Sequence, residues 1–251
     1  MLMDLFQAIV LGLMQGITEW LPVSSQGNVI IAGIKLFGLG AEQAFSYSVF
    51  LHIGTAFAAI IYFRKEIKEI IELKNKNLMR FMIIAVLSTA ITAIPVYLLM
   101  KQIAVNSMYL TLLIGLMLLI TGFLQWKKKT QKKTEENSKN AFFLGLGQGF
   151  SVLPGISRSG ITTSVLLFEG FTPKKAFKLS FLLSVPSVLI AEIGFGLIEG
   201  IEFEMNLLLS ILIAFVVGYF SIKYLIEFAK KVNFSWFCFT IGIFYIIISF
   251  L

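Results

Sequence analysis

The stretch QGITEWLPVSSQGN, residues 15–28, decides the interpretation of the whole chain. It places the carboxylate of Glu19, a proline and two serines inside a long apolar run. A carboxylate is costly in hydrocarbon unless a partner neutralises it. We therefore expect another segment of the chain to supply that partner.

The composition indicates a membrane protein. Of the 251 residues, 57% are hydrophobic and 14% are charged, and apolar runs of about 20 residues are typical of membrane-spanning helices. The net charge of +7 comes from short loops and not from a continuous basic face, so we expect no nucleic-acid partner. The single cysteine excludes an internal disulfide. The predicted spans are 43–63, 79–99, 107–126, 175–198, 206–228 and 234–251.

The loops between these spans predict their orientation. Residues 63–80, 127–140 and 230–233 are basic, and 127–140 carries six lysines against two glutamates. Residues 199–206 are acidic. Basic loops remain in the cytoplasm, so we expect a multi-pass protein of the cytoplasmic membrane with both termini outside.

Two apolar stretches remain, 4–37 and 141–170. The predicted topology requires each to enter and leave on the same side, and each is interrupted by Pro, Gly and Ser. We predict that both are re-entrant helix hairpins. Irregular backbone at membrane depth is tolerated only where protein buries it or it lines a wet cavity.

The two hairpins resemble each other. Residues 11–27 and 144–160 share seven of seventeen positions at a shift of 133, including Gln15 with Gln148. Three spans follow each hairpin, so the second copy must be upside down. The predicted fold is an all-α polytopic membrane protein with an inverted-topology repeat, in which six transmembrane helices accompany two re-entrant hairpins. The first repeat is 1–126, the basic cytoplasmic linker 127–140 and the second, inverted repeat 141–251.

In such a fold the site lies where the two breaks meet. The alternative is that the shared glycines only let helices pack closely, as small residues do at the same spacing. That alternative explains the glycines, but it does not explain Glu19 and Arg158 at matching depth.

The second break, PGISRSGITTS at 154–164, is suited to an anion. Ser157, Ser159 and Thr162 could cap the helix that follows, and a helix N-terminus binds phosphate through its free N–H groups. Arg158 adds a fork of donors for phosphate oxygens. The alternative is a structural arginine paired with Glu19.

The first break supplies Glu19, with Gln15 one turn earlier, and then Ser24, Ser25 and Asn28. A carboxylate beside an anion site repels phosphate unless a cation bridges the two or the carboxylate moves protons. Glu19 is therefore expected to bind a hard divalent cation such as Mg²⁺ or to act as a general base. The alternative is a neutral, buried glutamic acid.

Both breaks resemble motifs of the undecaprenyl-diphosphate phosphatase family, integral-membrane proteins tied to bacitracin resistance. The resemblance lies in the motifs QGITEWLPVSSQGN and PGISRSGITT, and the similarity in length and spacing extends over essentially the whole chain. The resemblance implies hydrolysis of undecaprenyl diphosphate to undecaprenyl phosphate, which is reused as the cell-wall glycan carrier. It also implies a divalent cation, Mg²⁺ or Ca²⁺, and an active site open to the outer face.

The resemblance implies functional roles for seven residues, Gln15, Glu19, Ser25, Asn28, Ser157, Arg158 and Thr162, and the two hairpins add Ser24, Gln148 and Ser159 as candidates. Glu19 is the candidate metal ligand. The catalytic candidates are Glu19, Ser25, Ser157, Arg158 and Thr162, and the candidates for substrate binding are Gln15, Ser24, Asn28, Gln148, Arg158 and Ser159. The sequence leaves open whether Ser25 is the nucleophile or a phosphate ligand.

This chain departs from the family pattern at three positions. Gln15 stands where the family often has Glu, and Asn28 stands where it usually has His. An imidazole moves protons at neutral pH, whereas an amide does not. The single histidine, His52, stands where the family usually has Gln. Our hypothesis is that His52 restores the missing group; the alternative is a hydrogen-bonded packing residue.

Two other functions remain open at this point. A lipid transporter or flippase would bind a prenyl phosphate without hydrolysing it, and inverted repeats are typical of transporters. A structural membrane scaffold would give no reason for Arg158 and Glu19 in lipid.

Overall fold

The computed structural model describes residues 3–103, 106–126, 135–199 and 204–250. These residues form eleven α-helices and no strand. Most of the predicted linker 127–140 and part of the acidic loop 199–206 lie outside the described residues. The helices are α1 Leu5–Thr18, α2 Ser25–Lys35, α3 Ala41–Tyr62, α4 Arg64–Ile71, α5 Lys76–Ile103, α6 Ser107–Trp126, α7 Ser138–Gly149, α8 Arg158–Phe168, α9 Pro173–Glu199, α10 Met205–Lys231 and α11 Ser235–Ser249.

Five of these helices, α3, α5, α6, α9 and α10, are long and apolar enough to cross a membrane by length and composition. They coincide with five of the six predicted spans. The sixth, 234–251, corresponds to α11, which has 15 residues. Such a helix is about 22 Å long at 1.5 Å per residue, less than a hydrocarbon core of about 30 Å. A sixth span therefore stays a prediction.

Both predicted hairpins are pairs of short helices, α1 with α2 and α7 with α8. The capping box of Asp4 starts α1: its carboxylate accepts from the N–H of Gln7 at 2.8 Å, and Gln7 Oε1 accepts from the N–H of Asp4. The first break lies between Thr18 and Ser25. The second contains a 3₁₀ turn at Phe150–Val152.

Each hairpin packs on a long helix from the other half of the chain, α1 on α10 and α7 on α5. Glycines permit this close approach. A Cβ on Gly12 would lie 2.7 Å from the carbonyl oxygen of Ser210 in α10, and a Cβ on Gly149 would lie 2.7 Å from the backbone nitrogen of Ala93 in α5. The small residues therefore serve helix packing, and they also bring the two breaks together.

Candidate active site

The tips of the two hairpins are in direct contact. The N–H of Gly155 in the second break donates to Ser24 Oγ in the first at 3.0 Å. The hydroxyl of Ser159 donates to the carbonyl oxygen of Leu21 at 3.3 Å. Arg158 Nη2 forms a hydrogen-bonded ion pair with Glu19 Oε1. The partner that the first break requires is therefore the arginine of the second.

The two breaks differ in their turns. In the first, Ser24 takes the left-handed conformation with φ 59° and caps α2 through its hydroxyl, which accepts from the N–H of Gly27. In the second, the positive φ of 99° falls on Gly155, where a Cβ would lie 2.4 Å from the carbonyl oxygen of Ile114. Both turns redirect the chain so that a new helix begins at the point of contact.

The N-termini of α2 and α8 therefore converge on one place. Their first residues, Ser25 and Gln26 in α2 and Arg158 and Ser159 in α8, line the same pocket. The first N–H groups of a helix have no partner within the helix and favour an anion. Arg158 Nη1 is also buried and has no hydrogen-bond partner among the described residues.

Glu19 lies at the centre of this pocket and is 6% exposed. Besides the ion pair with Arg158, its Oε2 accepts from Ser25 Oγ at 2.6 Å and from Gln15 Nε2 at 3.0 Å. His52 Nε2 lies 3.4 Å from the same oxygen. These contacts compensate the desolvation of the carboxylate, so the site holds a charge in a region of otherwise apolar helices.

The ring of His52 is oriented by its own helix. Nδ1 lies 2.7 Å from the carbonyl oxygen of Ser48, an acceptor that requires the hydrogen on Nδ1. In the neutral ring, Nε2 is then the basic nitrogen, and it faces Glu19. His52 thus places a proton acceptor beside Glu19 and Ser25.

The pocket encloses about 300 Å³ of space, part of which is open solvent. Its apolar lining residues are Leu21 and Ile156. Its polar lining residues come from both breaks and from α3: Glu19, Ser24, Ser25, Gln26, His52, Ser151, Ser157, Arg158 and Ser159.

Comparison with known proteins assigns the chain to a family. The sequence model of the family described as "Bacitracin resistance protein BacA" matches residues 8–244. The chain belongs to the BacA family. The family resemblance of the two motifs is thereby confirmed.

The BacA-family chain is also similar to individual proteins named "Undecaprenyl-diphosphatase". It is 42% identical to the one from Methanothrix thermoacetophila, over 96% of this chain and 95% of that protein. It is 36% identical to the one from Methanococcoides burtonii, over the full length of both. It is 35% identical to the one from Carboxydothermus hydrogenoformans, over 96% of this chain and 95% of that protein.

Four predicted site residues of this BacA-family chain lie beside the pocket and not in its lining. Gln15 Nε2 donates to Glu19 Oε2 and also to Thr55 Oγ1, the latter at 3.3 Å. Thr162 donates to the carbonyl oxygen of Arg158 at 2.7 Å, so it holds the helix turn that carries the arginine.

The other two, Asn28 and Gln148, bond to side chains of other helices. The side-chain nitrogen of Asn28 donates to the carbonyl oxygens of Val23 and Ser24, and its Oδ1 accepts from Tyr245 Oη at 2.6 Å. Gln148 donates to Thr89 Oγ1 and to Ser187 Oγ, on α5 and α9. The structure thus places both amides in contacts between helices.

Sequence reasoning missed Ser151, Gln26 and Thr121. Ser151 and Gln26 line the pocket. Thr121 on α6 accepts from the N–H of Ser157 at 3.2 Å and donates to the carbonyl oxygen of Gly155, so it supports the second break. For Ser151 a signal existed, because it stands 133 residues after Thr18, the shift of the repeat. Nothing in the sequence around Thr121 marks it.

The donor set does not fit a resident divalent cation. Glu19 is the sole carboxylate of the pocket lining, and both of its oxygens face hydrogen-bond donors. Within the described parts of the chain no three His, Cys, Asp or Glu side chains form a group that could hold a metal ion. Mg²⁺ and Ca²⁺ require several oxygen ligands.

Proposed function

We propose that this protein is a membrane phosphatase that hydrolyses undecaprenyl diphosphate, or a close polyprenyl diphosphate, to the monophosphate for reuse as the cell-wall lipid carrier. One observation carries the proposal: Arg158, whose buried Nη1 has no hydrogen-bond partner among the described residues, lines a pocket where two helix N-termini meet beside Glu19 and His52. The name printed for the full-length relatives supports the same substrate.

Substrate binding follows from the donors of the two breaks. The first N–H groups of α2 and α8 and the guanidinium of Arg158 are the hydrogen-bond donors for the diphosphate oxygens. The hydroxyls of Ser24, Ser157 and Ser159 line the same space. Because these donors are fixed before the substrate arrives, they stabilise the charge that builds on the terminal phosphate during transfer.

The chemical step breaks the bond between the terminal phosphorus and the bridging oxygen, and polyprenyl phosphate leaves. The attacking oxygen is a water oxygen or Ser25 Oγ, and its proton passes to the Glu19–His52 pair. The hydrogen bond from Ser25 to Glu19 already points that proton toward the base. Hydrolysis of a phosphoseryl intermediate would follow if Ser25 attacks.

Ser25→Ala distinguishes these two routes. If Ser25 is the nucleophile, Ser25→Ala loses turnover. The wild type then shows a labelled phosphoprotein after rapid quenching, and the variant does not. Attack by water predicts residual turnover and no labelled protein in either form.

The divalent cation is proposed to enter with the substrate, because the lining does not fit a resident ion. A diphosphate offers the cation several oxygens of its own. Turnover is then expected to require Mg²⁺ or Ca²⁺ at a concentration that rises with the concentration of the substrate. A chelator is expected to stop turnover without unfolding the protein. A thermal midpoint that falls on chelation of the pure protein would contradict this and indicate a resident ion.

The finer architecture is also proposed. The two halves are an inverted repeat, since α1 packs on α10 as α7 packs on α5, and six helices span the membrane with both hairpins re-entrant. Both termini lie outside, and the pocket opens to the outer face of the cytoplasmic membrane. The prenyl chain lies between helices.

Phosphate release from a short prenyl diphosphate tests the function. Pure protein in detergent is expected to release one phosphate per substrate, and Arg158→Ala is expected to abolish release. Prenyl-phosphate binding that is lost in Arg158→Ala, with no release by the wild type, would instead indicate a transporter that does not hydrolyse its lipid.

A further inference from the structure

The side-chain amide of Asn28 holds the backbone of the first break. Its nitrogen donates to the carbonyl oxygens of Val23 and Ser24 at 3.0 and 2.9 Å, so both of its hydrogens are used. Its Oδ1 accepts from the hydroxyl of Tyr245 on α11 at 2.6 Å. The orientation of the amide is unambiguous, because two carbonyl oxygens require the nitrogen and leave the oxygen to the tyrosine. Asn28 therefore has no hydrogen left to donate to a substrate.

The turn that this amide holds is centred on Ser24, whose backbone is left-handed with φ 59°. A residue with a Cβ adopts this conformation only where surrounding contacts maintain it. Besides the bond from Asn28 to its carbonyl oxygen, the Oγ of Ser24 accepts from the N–H groups of Gly155 and Gly27. The turn is therefore held by the second break at the side chain and by Asn28 at the backbone.

The bonds to Asn28 also set the direction of two peptide groups. The C=O and N–H of a trans peptide point in opposite directions, and the described residues contain no cis peptide. Because Asn28 draws the carbonyl oxygens of residues 23 and 24 along α2, the N–H groups of residues 24 and 25 point out of the N-terminal end of that helix. A left-handed residue followed by a helical one makes successive N–H groups converge into an anion-binding concavity. Residues 24–26 all line the pocket.

One face of α11 lies along the first hairpin. Cys238 and Tyr245 are seven residues apart, about two helix turns, so they share a face of the helix. Both are buried. The thiol of Cys238 donates to the carbonyl oxygen of Pro22 at 3.4 Å, and Gln125 on α6 donates to the same oxygen at 2.8 Å. The backbone on either side of the turn at Ser24 is thus supported from α11.

We propose that Asn28 and Tyr245 are positioning residues of the active site: together they maintain the left-handed turn at Ser24 and so direct the N–H groups of residues 24–26 at a phosphate group of the substrate. This inference rests on the proposed function, because the phosphate is that of the polyprenyl diphosphate. It gives position 28 a physical reason for an amide. A neutral imidazole has one N–H, whereas the two carbonyl oxygens of the turn take two donors.

Binding of a prenyl diphosphate analogue that resists hydrolysis separates positioning from packing. A short prenyl methylenediphosphonate is titrated, in the presence of Mg²⁺, into pure protein in detergent, and Kd is measured by calorimetry. Asn28→Leu keeps a side chain of similar size and removes both donors. It is expected to raise Kd about tenfold, because N–H groups then lose their direction toward a charged ligand. Tyr245→Phe removes only the group that orients the amide, and it is expected to raise Kd about threefold.

The double variant tests whether Tyr245 acts through Asn28. Asn28→Leu combined with Tyr245→Phe is expected to bind the analogue no more weakly than Asn28→Leu alone, because the amide that the tyrosine orients is already absent. Asn28→His is also expected to raise Kd, since one of the two donors is lost. The matched controls are Asn77→Leu, at an exposed position near the start of α5, and Tyr224→Phe, at an exposed position on α10. Both should leave Kd unchanged.

A thermal midpoint that falls in Asn28→Leu while Kd keeps its wild-type value would overturn the proposal and assign the residue to packing. Additive losses in the double variant would contradict the role of Tyr245. If Asn28→Leu does not fold, Tyr245→Phe decides, and an unchanged Kd in that variant overturns the proposal. Absence of analogue binding by the wild type would do the same. Binding that depends on Asn28, without release of phosphate from a prenyl diphosphate, would support this inference and contradict the proposed hydrolysis, so the two failures are distinguishable.

Discussion

Arg158 divides its guanidinium between two tasks. Nη2 neutralises Glu19, while Nη1 is buried and meets no hydrogen-bond partner in the part of the chain that the structure describes. A lysine could supply the charge but not two nitrogens in fixed directions, because an ammonium group is a single point donor. The arginine is thus suited to hold the carboxylate and a phosphate at once.

Arg158→Lys is therefore expected to fold but to lose activity. The ammonium group still pairs with Glu19, so the thermal midpoint should change little. The loss of one fixed donor to the phosphate should lower kcat/KM by about 10²-fold. Phosphate release measures this, with Arg80→Lys at an exposed position as the control. Equal activity in both variants would show that Arg158 serves only the ion pair.

His52 occupies the position from which a neutral ring can accept a proton beside Glu19. His52→Gln keeps a polar group of similar size but removes the base. We expect kcat to fall about 10²-fold. The kcat of phosphate release by the purified variant checks this. An unchanged kcat would assign His52 to packing, the alternative that the sequence left open.

At the scale of the helices, close packing of the hairpins keeps the breaks in contact. A Cβ on Gly149 would lie 1.9 Å from Thr92 Oγ1, whereas a Cβ on Gly194 would meet nothing within 4 Å. Gly149→Ala should therefore separate α7 from α5 and destabilise the protein by about 1 to 3 kcal/mol. Gly194→Ala is the matched control, because no described atom lies within 4 Å of the added Cβ, and it should be neutral or stabilising. Thermal unfolding in detergent measures both variants.

The corner between α8 and α9 makes stability depend on pH. Burial raises the pKa of Glu169 to about 7 from 4.5, although Asn140 and Lys139 oppose the rise. The folded protein then binds a proton that the unfolded chain releases, so stability falls as pH rises between these values. Glu169→Gln should remove this loss. Its thermal midpoint should exceed that of the wild type by a margin that grows from pH 4.5 to 7 and then stays constant; a constant margin throughout would contradict the assignment.

At the scale of the whole molecule, the charges of the loops determine the orientation of the protein in the membrane. Glu42→Cys should react with a membrane-impermeant thiol reagent on intact cells, whereas Lys139→Cys should react only after the membrane is opened, because basic loops stay inside. Both positions are exposed, and the native Cys238 is buried and serves as the unreactive control. The reverse pattern would invert the predicted topology and place the pocket toward the cytoplasm.

The positions of the helices and of their breaks follow from the amino-acid sequence. Apolar runs and Pro, Gly and Ser interruptions are local features, so five spans and both two-helix hairpins follow from them closely. The pairing of Glu19 with Arg158 was also predictable, because two opposite charges in apolar segments need each other. The sixth span stays a prediction, because α11 covers 235–249 of the predicted 234–251 and its 15 residues are short for a membrane crossing.

The groups that surround Glu19, in contrast, depend on how the helices pack. His52 reaches it because α3 packs against the first hairpin, whereas Asn28 turns to Tyr245 on α11. Gln148, a copy of Gln15 in sequence, contacts α5 and α9 instead of the pocket. Such contacts join residues far apart in the chain, and side-chain direction depends on how whole helices pack. Residues 15–28 therefore indicate that a site exists, and the packing of the helices determines which side chains form it.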